Sequence, residues 1–183
     1  MIKTERLILR NFKETDIDDY FEFVSQEDVL SKIDATPYSD KEKALERLIS
    51  ESHKPLRFAI VLKENNKVIG NISLNEPKNE RYSGIEIDEH TKELGYLLSH
   101  DYWGKGIMPE AGKALLKYAF KELGVAKIVC GTKTLNKQSA RVQEKIGLKF
   151  HSIKENYATW INGEKCGYIR TYITAQEWLN NND

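Results

Sequence analysis

Apolar and polar side chains alternate from Arg6 to Phe12 (RLILRNF), and a period of two over so short a run predicts a strand. Thr15 and Asp16 are cap residues for a helix in which Ile17, Tyr20, Phe21 and Val24 recur at helical spacing. Asp40, after Pro37, caps a second expected helix through Ala44, Leu45, Leu48 and Ile49. Phe58 to Leu62 (FAIVL) and Lys67 to Leu74 (KVIGNISL) are two strands whose polar connection, Lys63-Glu64-Asn65-Asn66, makes them a hairpin. Residues 75–92 are polar and aperiodic apart from Ile85 and Ile87, the pattern of a long loop or a short extra strand. Glu93 to Ser99 (ELGYLLS) predicts a strand. The following helix has Pro109 in its first turn, apolar positions at Met108, Ala111, Leu115, Tyr118 and Ala119, and Gly124 as its stop. Lys127 to Thr134 is a strand, Asn136 caps a shorter helix ending at Gly147, and Leu148 to Trp160 and Tyr168 to Ile173 are strands around the turn Asn162-Gly163-Glu164.

This order describes a mixed α/β domain with a largely antiparallel start, and the segment from 93 to 134 is a strand–helix–strand unit with a right-handed crossover if its strands are parallel neighbours. The 183 residues suit one domain, expected to span 1–183, with no repeat or linker. Two cysteines are too few for a disulfide scaffold and lack metal-ligand spacing, so no metal and a reducing, cytoplasmic setting are expected. The charged N-terminus has no apolar signal region, and no apolar run is long enough to span a bilayer.

Charge adds a division that the hydrophobic pattern does not show. The 28 basic and 28 acidic side chains cancel, which argues against a general nucleic-acid binder. Yet residues 103–149 hold ten basic and three acidic side chains, a net of +7, whereas residues 14–51 carry twelve acids against four bases, a net of -8. Charged helix faces are often plain solvated surface; the alternative is a two-sided field, basic toward an anionic ligand and acidic toward a cationic one.

The basic window opens on Tyr-Trp-Gly-Lys-Gly-Ile-Met-Pro-Glu-Ala (102–111), a glycine-containing turn between an apolar strand and the start of a long helix. The first amides of a helix lack intrahelical acceptors and lie at the positive end of its dipole. Gly104 and Gly106 leave room for a phosphate to approach them, and Lys105 adds charge. The same turn also serves as an ordinary connection. It is not a Walker loop, since no Gly-Lys-Ser/Thr follows, and it lacks the third glycine of a dinucleotide fingerprint.

Together with Asn136-Lys137-Gln138-Ser139-Ala140-Arg141-Val142-Gln143-Glu144-Lys145-Ile146-Gly147-Leu148, the stretch ELGYLLSHDYWGKGIMPEA resembles the GCN5-related N-acetyltransferase (GNAT) superfamily, and within it the RimJ/RimL-like branch of ribosomal-protein N-acetyltransferases. The resemblance covers nearly the whole chain in element order and is most specific at 93–150. It implies a mostly antiparallel sheet of about seven strands flanked by helices and splayed at the cofactor site.

The resemblance further implies acetyl-CoA as co-substrate. Backbone amides of Trp103, Gly104, Lys105, Gly106, Ile107 and Met108 would bind its pyrophosphate, although Trp103 stands where an Arg or Gln is usual and Met108 where a small residue is usual. The strand ending at Leu97 and Leu98 would pair with the pantetheine arm and offer an N–H to the oxyanion. Asn136 would hold the arm near its sulfur. The family's thiolate-protonating tyrosine falls on Gln143, which leaves Ser139 as the proton donor. Glu93 is the candidate base for the amine, with His100 as a second choice; Tyr96 and Trp160 are candidate acceptor contacts, with Tyr157 beside Trp160. Lys145 and Arg141 could meet cofactor phosphates or be plain surface. Cys130, inside an apolar strand, reads as core, since direct attack on the thioester needs no covalent intermediate.

The expected activity is acetyl transfer to a primary amine, of a peptide N-terminus or of a small cationic molecule such as a polyamine or amine antibiotic. A CoA-binding module without turnover is the alternative. No nucleic-acid or membrane partner is expected, and the chain would act as a monomer or homodimer.

Overall fold

The computed structural model describes residues 1–182. Its strands are β1 (Ile2–Lys3), β2 (Leu7–Arg10), β3 (Arg57–Leu62), β4 (Val68–Asn75), β5 (Thr91–Leu98), β6 (Lys127–Lys133), β7 (Lys149–Thr159) and β8 (Lys165–Thr174). Its helices are α1 (Ile17–Val24), α2 (Glu27–Leu30), α3 (Lys41–Ser52), α4 (Ile107–Glu122), α5 (Lys137–Lys145) and α6 (Ala175–Asn182). This is a mixed α/β fold whose sheet has the order β1-β2-β3-β4-β5-β6-β8-β7. It has eight strands where about seven were expected, because Ile2 and Lys3 pair with Leu9 and Ile8 as a short first strand. The chain divides into two compact units, Met1–Ser73 with Tyr96–Ala114, and Leu74–Gly95 with Leu115–Asp183.

In the first unit the period-two pattern is realised directly: Leu7 and Leu9 are fully buried, and Ile8 and Arg10 less so. β3 runs antiparallel to both β2 and β4. The helices close over a cluster that includes Phe12, Tyr20, Phe23, Val24, Val29, Leu30 and Leu48. Tyr20 meets Phe12 and Phe23 edge-on at 5.5 and 5.2 Å between ring centres. Each such side chain contributes about 1.5–3 kcal/mol by leaving water. α3 starts where its cap predicts, since the Asp40 carboxylate accepts the Glu42 amide at 2.8 Å. α2 was not foreseen; two apolar residues, Val29 and Leu30, are too few to show a period.

The acids of residues 14–51 are largely engaged inside this unit. Asp16 pairs with Arg10, Asp18 with Lys41, Glu22 with Lys67 and Asp28 with His100. Asp19 accepts the Val68 amide. Glu51, 1% exposed, is surrounded by Arg47, Lys54 and Arg57 at 2.6, 3.0 and 2.5 Å. Four of these twelve acids, Asp16, Asp18, Glu22 and Glu51, thus face a lysine or arginine, which weakens the charge argument for a cationic acceptor.

In the second unit β5 pairs in parallel with β6 through Thr91↔Lys127, Lys92↔Ile128 and Glu93↔Val129. β6 then pairs antiparallel with β8 from Lys127↔Thr174 to Lys133↔Tyr168, and β8 with β7. By this register Glu93, Val129, Gly131, Lys133, Tyr168 and Arg170 share one face, and Leu94, Cys130, Thr132 and Thr171 share the other. Between Asn75 and Thr91 the chain makes turns and no strand. α6, also unforeseen, begins with a reciprocal cap: the Glu177 carboxylate accepts the Thr174 amide at 3.0 Å, and the Thr174 hydroxyl accepts the Glu177 amide at 3.3 Å. Phe120 of α4 packs on Trp178 at 5.7 Å.

Candidate active site

The glycine turn lies in the first unit. A single helical turn at His100–Tyr102 precedes it, and Gly104 and Gly106 both have positive φ, 74° and 73°. Nothing lies within 4 Å of a Cβ added at Gly104, so the backbone conformation rather than space calls for glycine there. The Glu110 amide makes an α4 bond to the Gly106 carbonyl at 3.2 Å. Ile107 and Met108 turn their side chains into the core, each 4% exposed, so Met108 takes no space from a ligand at the amides. Lys105 is exposed, with its ammonium 5.3 Å from the Tyr102 ring centre.

Trp103 explains how the loop accepts a bulky residue in place of Arg or Gln. Its ring packs against the first unit's core and donates from Nε1 to the Leu98 carbonyl at 2.9 Å. The His100 ring stacks on it at 4.4 Å and the Lys32 ammonium lies 3.6 Å from its centre. Burial lowers the Lys32 pKa, opposed by Asp28. His100, the second candidate base, is held by this stack and by contact of its Nδ1 with the Asp28 carboxylate. At the end of β5, Leu98 is buried while Tyr96 and Leu97 are half-buried.

The second unit holds the remaining candidates. Glu93 Oε1 accepts both the Arg81 guanidinium at 2.5 Å and the Tyr82 hydroxyl at 2.8 Å. Tyr82 is fully buried, and burial above all pushes its hydroxyl far up, so it donates and stays neutral. Arg81 also lies 5.8 Å over the Tyr168 ring, and Tyr168 sits so close to Gly131 that a Cβ there would come within 2.3 Å of it. Arg81 and Tyr82 come from the aperiodic segment, where no spacing could have revealed them. Arg170, 8% exposed, donates to the Ser83 carbonyl at 2.5 Å and its hydroxyl at 3.0 Å.

Asn136 caps α5, its side chain accepting the Ser139 amide at 3.2 Å. The Ser139 hydroxyl accepts from Gln143 Nε2 at 3.3 Å, and Gln143 Oε1 accepts from the Thr171 hydroxyl at 2.8 Å. Gln143 is 1% exposed, so the residue in the family's tyrosine position is a buried amide that orients Ser139. Lys145 and Arg141 are exposed on α5. Trp160 follows β7, half-buried, with the Lys133 ammonium 5.8 Å from its ring centre, and exposed Tyr157 meets Tyr168 edge-on. Cys130 Sγ donates to the Leu94 carbonyl at 3.3 Å; burial, then Glu93, pushes its thiol well above the usual range and leaves it un-nucleophilic. Among the described residues no cluster suits a metal, and no helix is long and apolar enough to cross a membrane.

A sheet strand that runs into a positive-φ glycine turn and a helix N-terminus is an arrangement suited to a phosphate-bearing ligand. The model of the acetyltransferase (GNAT) domain matches residues 6–149. An uncharacterized N-acetyltransferase, YnaD of Bacillus subtilis, is 28% identical over 81% of this chain and 82% of its own. The FsC-acetyl coenzyme A-N(2)-transacetylase of Aspergillus fumigatus is 35% identical, over 48% of this chain and 37% of its own. Among solved structures, a GNAT-family acetyltransferase from Bacillus anthracis superposes with a TM-score of 0.82 at 27% identity, covering 96% of this chain and 99% of its own. Spermidine N-acetyltransferase from Vibrio cholerae, in complex with CoA and spermine, has the same fold, with a TM-score of 0.77 at 21% identity over 97% and 100% of the two chains. The chain belongs to the GNAT acetyltransferase family and is an N-acetyltransferase of that type. Enzymes of this family use acetyl-CoA and act on amines.

Proposed function

We propose that this enzyme moves the acetyl group of acetyl-CoA to a primary amine by direct attack in a ternary complex, with residues 1–183 acting as one catalytic domain in the cytoplasm. The observation that carries the reading is the Gly104–Met108 backbone, whose two positive-φ glycines lead into α4 and suit its first amides to a pyrophosphate. In that reading the Leu97–Leu98 end of β5 pairs with the pantetheine arm, and Asn136 and Ser139 bind near its sulfur. Lys145 adds charge toward the phosphates.

The amine nitrogen bonds to the thioester carbon as its proton passes to Glu93, directly or through water. The C–S bond then breaks, and the leaving thiolate takes a proton or hydrogen bond from Ser139. A thiol pKa of about 8.5 makes that demand mild. Arg81 and Tyr82 keep the Glu93 carboxylate in place between turnovers. Tyr96 and Trp160 are the proposed acceptor contacts.

For the acceptor we favour a peptide N-terminus. A likeness to the ribosomal N-acetyltransferase YdaF of Bacillus subtilis, described as putative, supports this at 29% identity over 86 residues. A polyamine is the second reading, favoured by the spermidine acetyltransferase of like fold. Thiol release from acetyl-CoA, measured against N-terminal peptides of ribosomal proteins and against spermidine, tests both. Release with the peptides and not with spermidine is expected; the reverse transfers the assignment to polyamines. Tight CoA binding with no acceptor-dependent release identifies a binding module instead.

A further inference from the structure

Glu110 sits in the first turn of α4, immediately after the loop assigned to the coenzyme pyrophosphate. A carboxylate there suits the helix dipole but competes with an anionic ligand for it, and the two negative charges repel. The structure pairs it with two residues, of which Arg6 alone brings charge. Glu110 Oε1 accepts the Thr4 hydroxyl at 2.6 Å and the Arg6 amide at 2.9 Å, and Oε2 accepts Arg6 Nε at 2.7 Å and Nη2 at 2.7 Å. Two guanidinium nitrogens thus converge on one carboxylate oxygen, a charge-assisted contact that offsets the negative charge.

The same guanidinium reaches the loop itself. Arg6 Nη1 donates to the Lys105 carbonyl at 3.0 Å, and Nη2 lies 3.6 Å from where a Gly106 Cβ would be. The peptide between Lys105 and Gly106 is trans, and in a trans peptide the C=O and N–H point in opposite directions. Holding the Lys105 carbonyl toward Arg6 therefore turns the Gly106 N–H to the other side of the loop. With positive φ at Gly104 and Gly106, this strap selects one orientation from a permissive backbone.

We propose that Arg6 is a positioning residue for the coenzyme phosphates: it masks the Glu110 charge and aims the Gly106 N–H at the pyrophosphate. The inference rests on the acetyl-CoA reading above and adds a residue that lies about a hundred positions from the loop in sequence. A lysine could offset the charge but has no planar fork with which to grip the carboxylate and the carbonyl together.

The test compares coenzyme A with acetyl-pantetheine, a thioester that lacks the phosphates. Arg6→Ala is expected to raise the Kd for coenzyme A about tenfold or more and leave kcat/KM for acetyl-pantetheine unchanged. Arg6→Ala/Glu110→Gln should recover part of the loss, because the uncovered charge is gone; Arg6→Lys should fall between wild type and Arg6→Ala. Should Arg6→Ala fail to fold, Arg6→Lys carries the same comparison at smaller size. Equal losses in kcat/KM with acetyl-CoA and with acetyl-pantetheine, or an unchanged Kd for coenzyme A, overturn the role of Arg6 alone. A wild-type protein that ignores coenzyme A overturns the functional reading and the role of Arg6 with it.

Discussion

The glycine loop and the Glu93–Gln143 region use opposite means. At the loop the groups assigned to binding are backbone amides, and the side chains point elsewhere: Trp103, Ile107 and Met108 pack inward. In the second unit the assigned groups are side chains, and each is oriented by another side chain: Glu93 by Arg81 and Tyr82, Ser139 by Gln143 and Thr171. Backbone recognition tolerates changes of residue type that keep the φ and ψ angles. Side-chain chemistry tolerates them only where the supporting hydrogen bonds are rebuilt. On the proposed assignment, Trp103 and Met108 leave the loop amides in place by packing inward, whereas Gln143 offers a buried amide where the resemblance implies a tyrosine.

Four substitutions probe that contrast, in descending order of effect. Glu93→Gln should lower kcat about a hundredfold and flatten the pH–rate profile while coenzyme A affinity holds; full activity would reduce Glu93 to an anchor for Arg81. Gly106→Val forces a β-branched residue to a φ of 73° and should weaken coenzyme A binding about tenfold, with kcat at saturation nearly unchanged. If kcat falls instead, the loop is more than a binding device.

Gln143→Leu removes the donor to Ser139 and one of the two acceptors of the buried Thr171 hydroxyl, which keeps the Cys130 carbonyl, so it should cost about 0.5–1.5 kcal/mol of stability and lower kcat more than coenzyme A affinity. Ser139→Ala should share the loss in kcat but not the loss in stability, and a double mutant no worse than the worse single would show that the two act as a unit.

The smallest effect is one of pH. Burial works against the Glu110 charge, yet hydrogen bonds from Thr4 and Arg6 hold its carboxyl below the ordinary 4.5. Its contribution to stability is then complete above that value and is lost as pH falls through the lower, folded one. The stability gap between wild type and Glu110→Gln, read from urea midpoints, should shrink from about pH 6 to about pH 3. A constant gap would mean that the pair acts through packing alone.

Elements announced by local chemistry were readable from the chain. Asp40 caps α3, Asn136 caps α5, and Gly104 and Gly106 mark the loop, because each is a short-range requirement of the backbone. α6 carried a readable signal, Thr174-x-x-Glu177, that its polar composition hid. The Arg81–Glu93 and Arg6–Glu110 pairs had none, since they join an aperiodic loop to a strand and a strand approach to a helix, and such contacts exist only once the fold has formed. The sign of a charged segment is equally incomplete: the acids of 14–51 are countable, but cations that pair with some of them lie outside that window, at Arg10, Lys54, Arg57 and Lys67.

Cys130 and Cys166 are both buried and unlinked, and Cys130 is neutral as well. An enzyme whose reaction liberates a thiol thus presents almost none of its own. Sulfhydryl-directed colour reagents should react with released coenzyme against a low protein background, and alkylating agents and mild oxidants should leave turnover intact. Burial of both side chains makes the protein a quiet host for the product it generates.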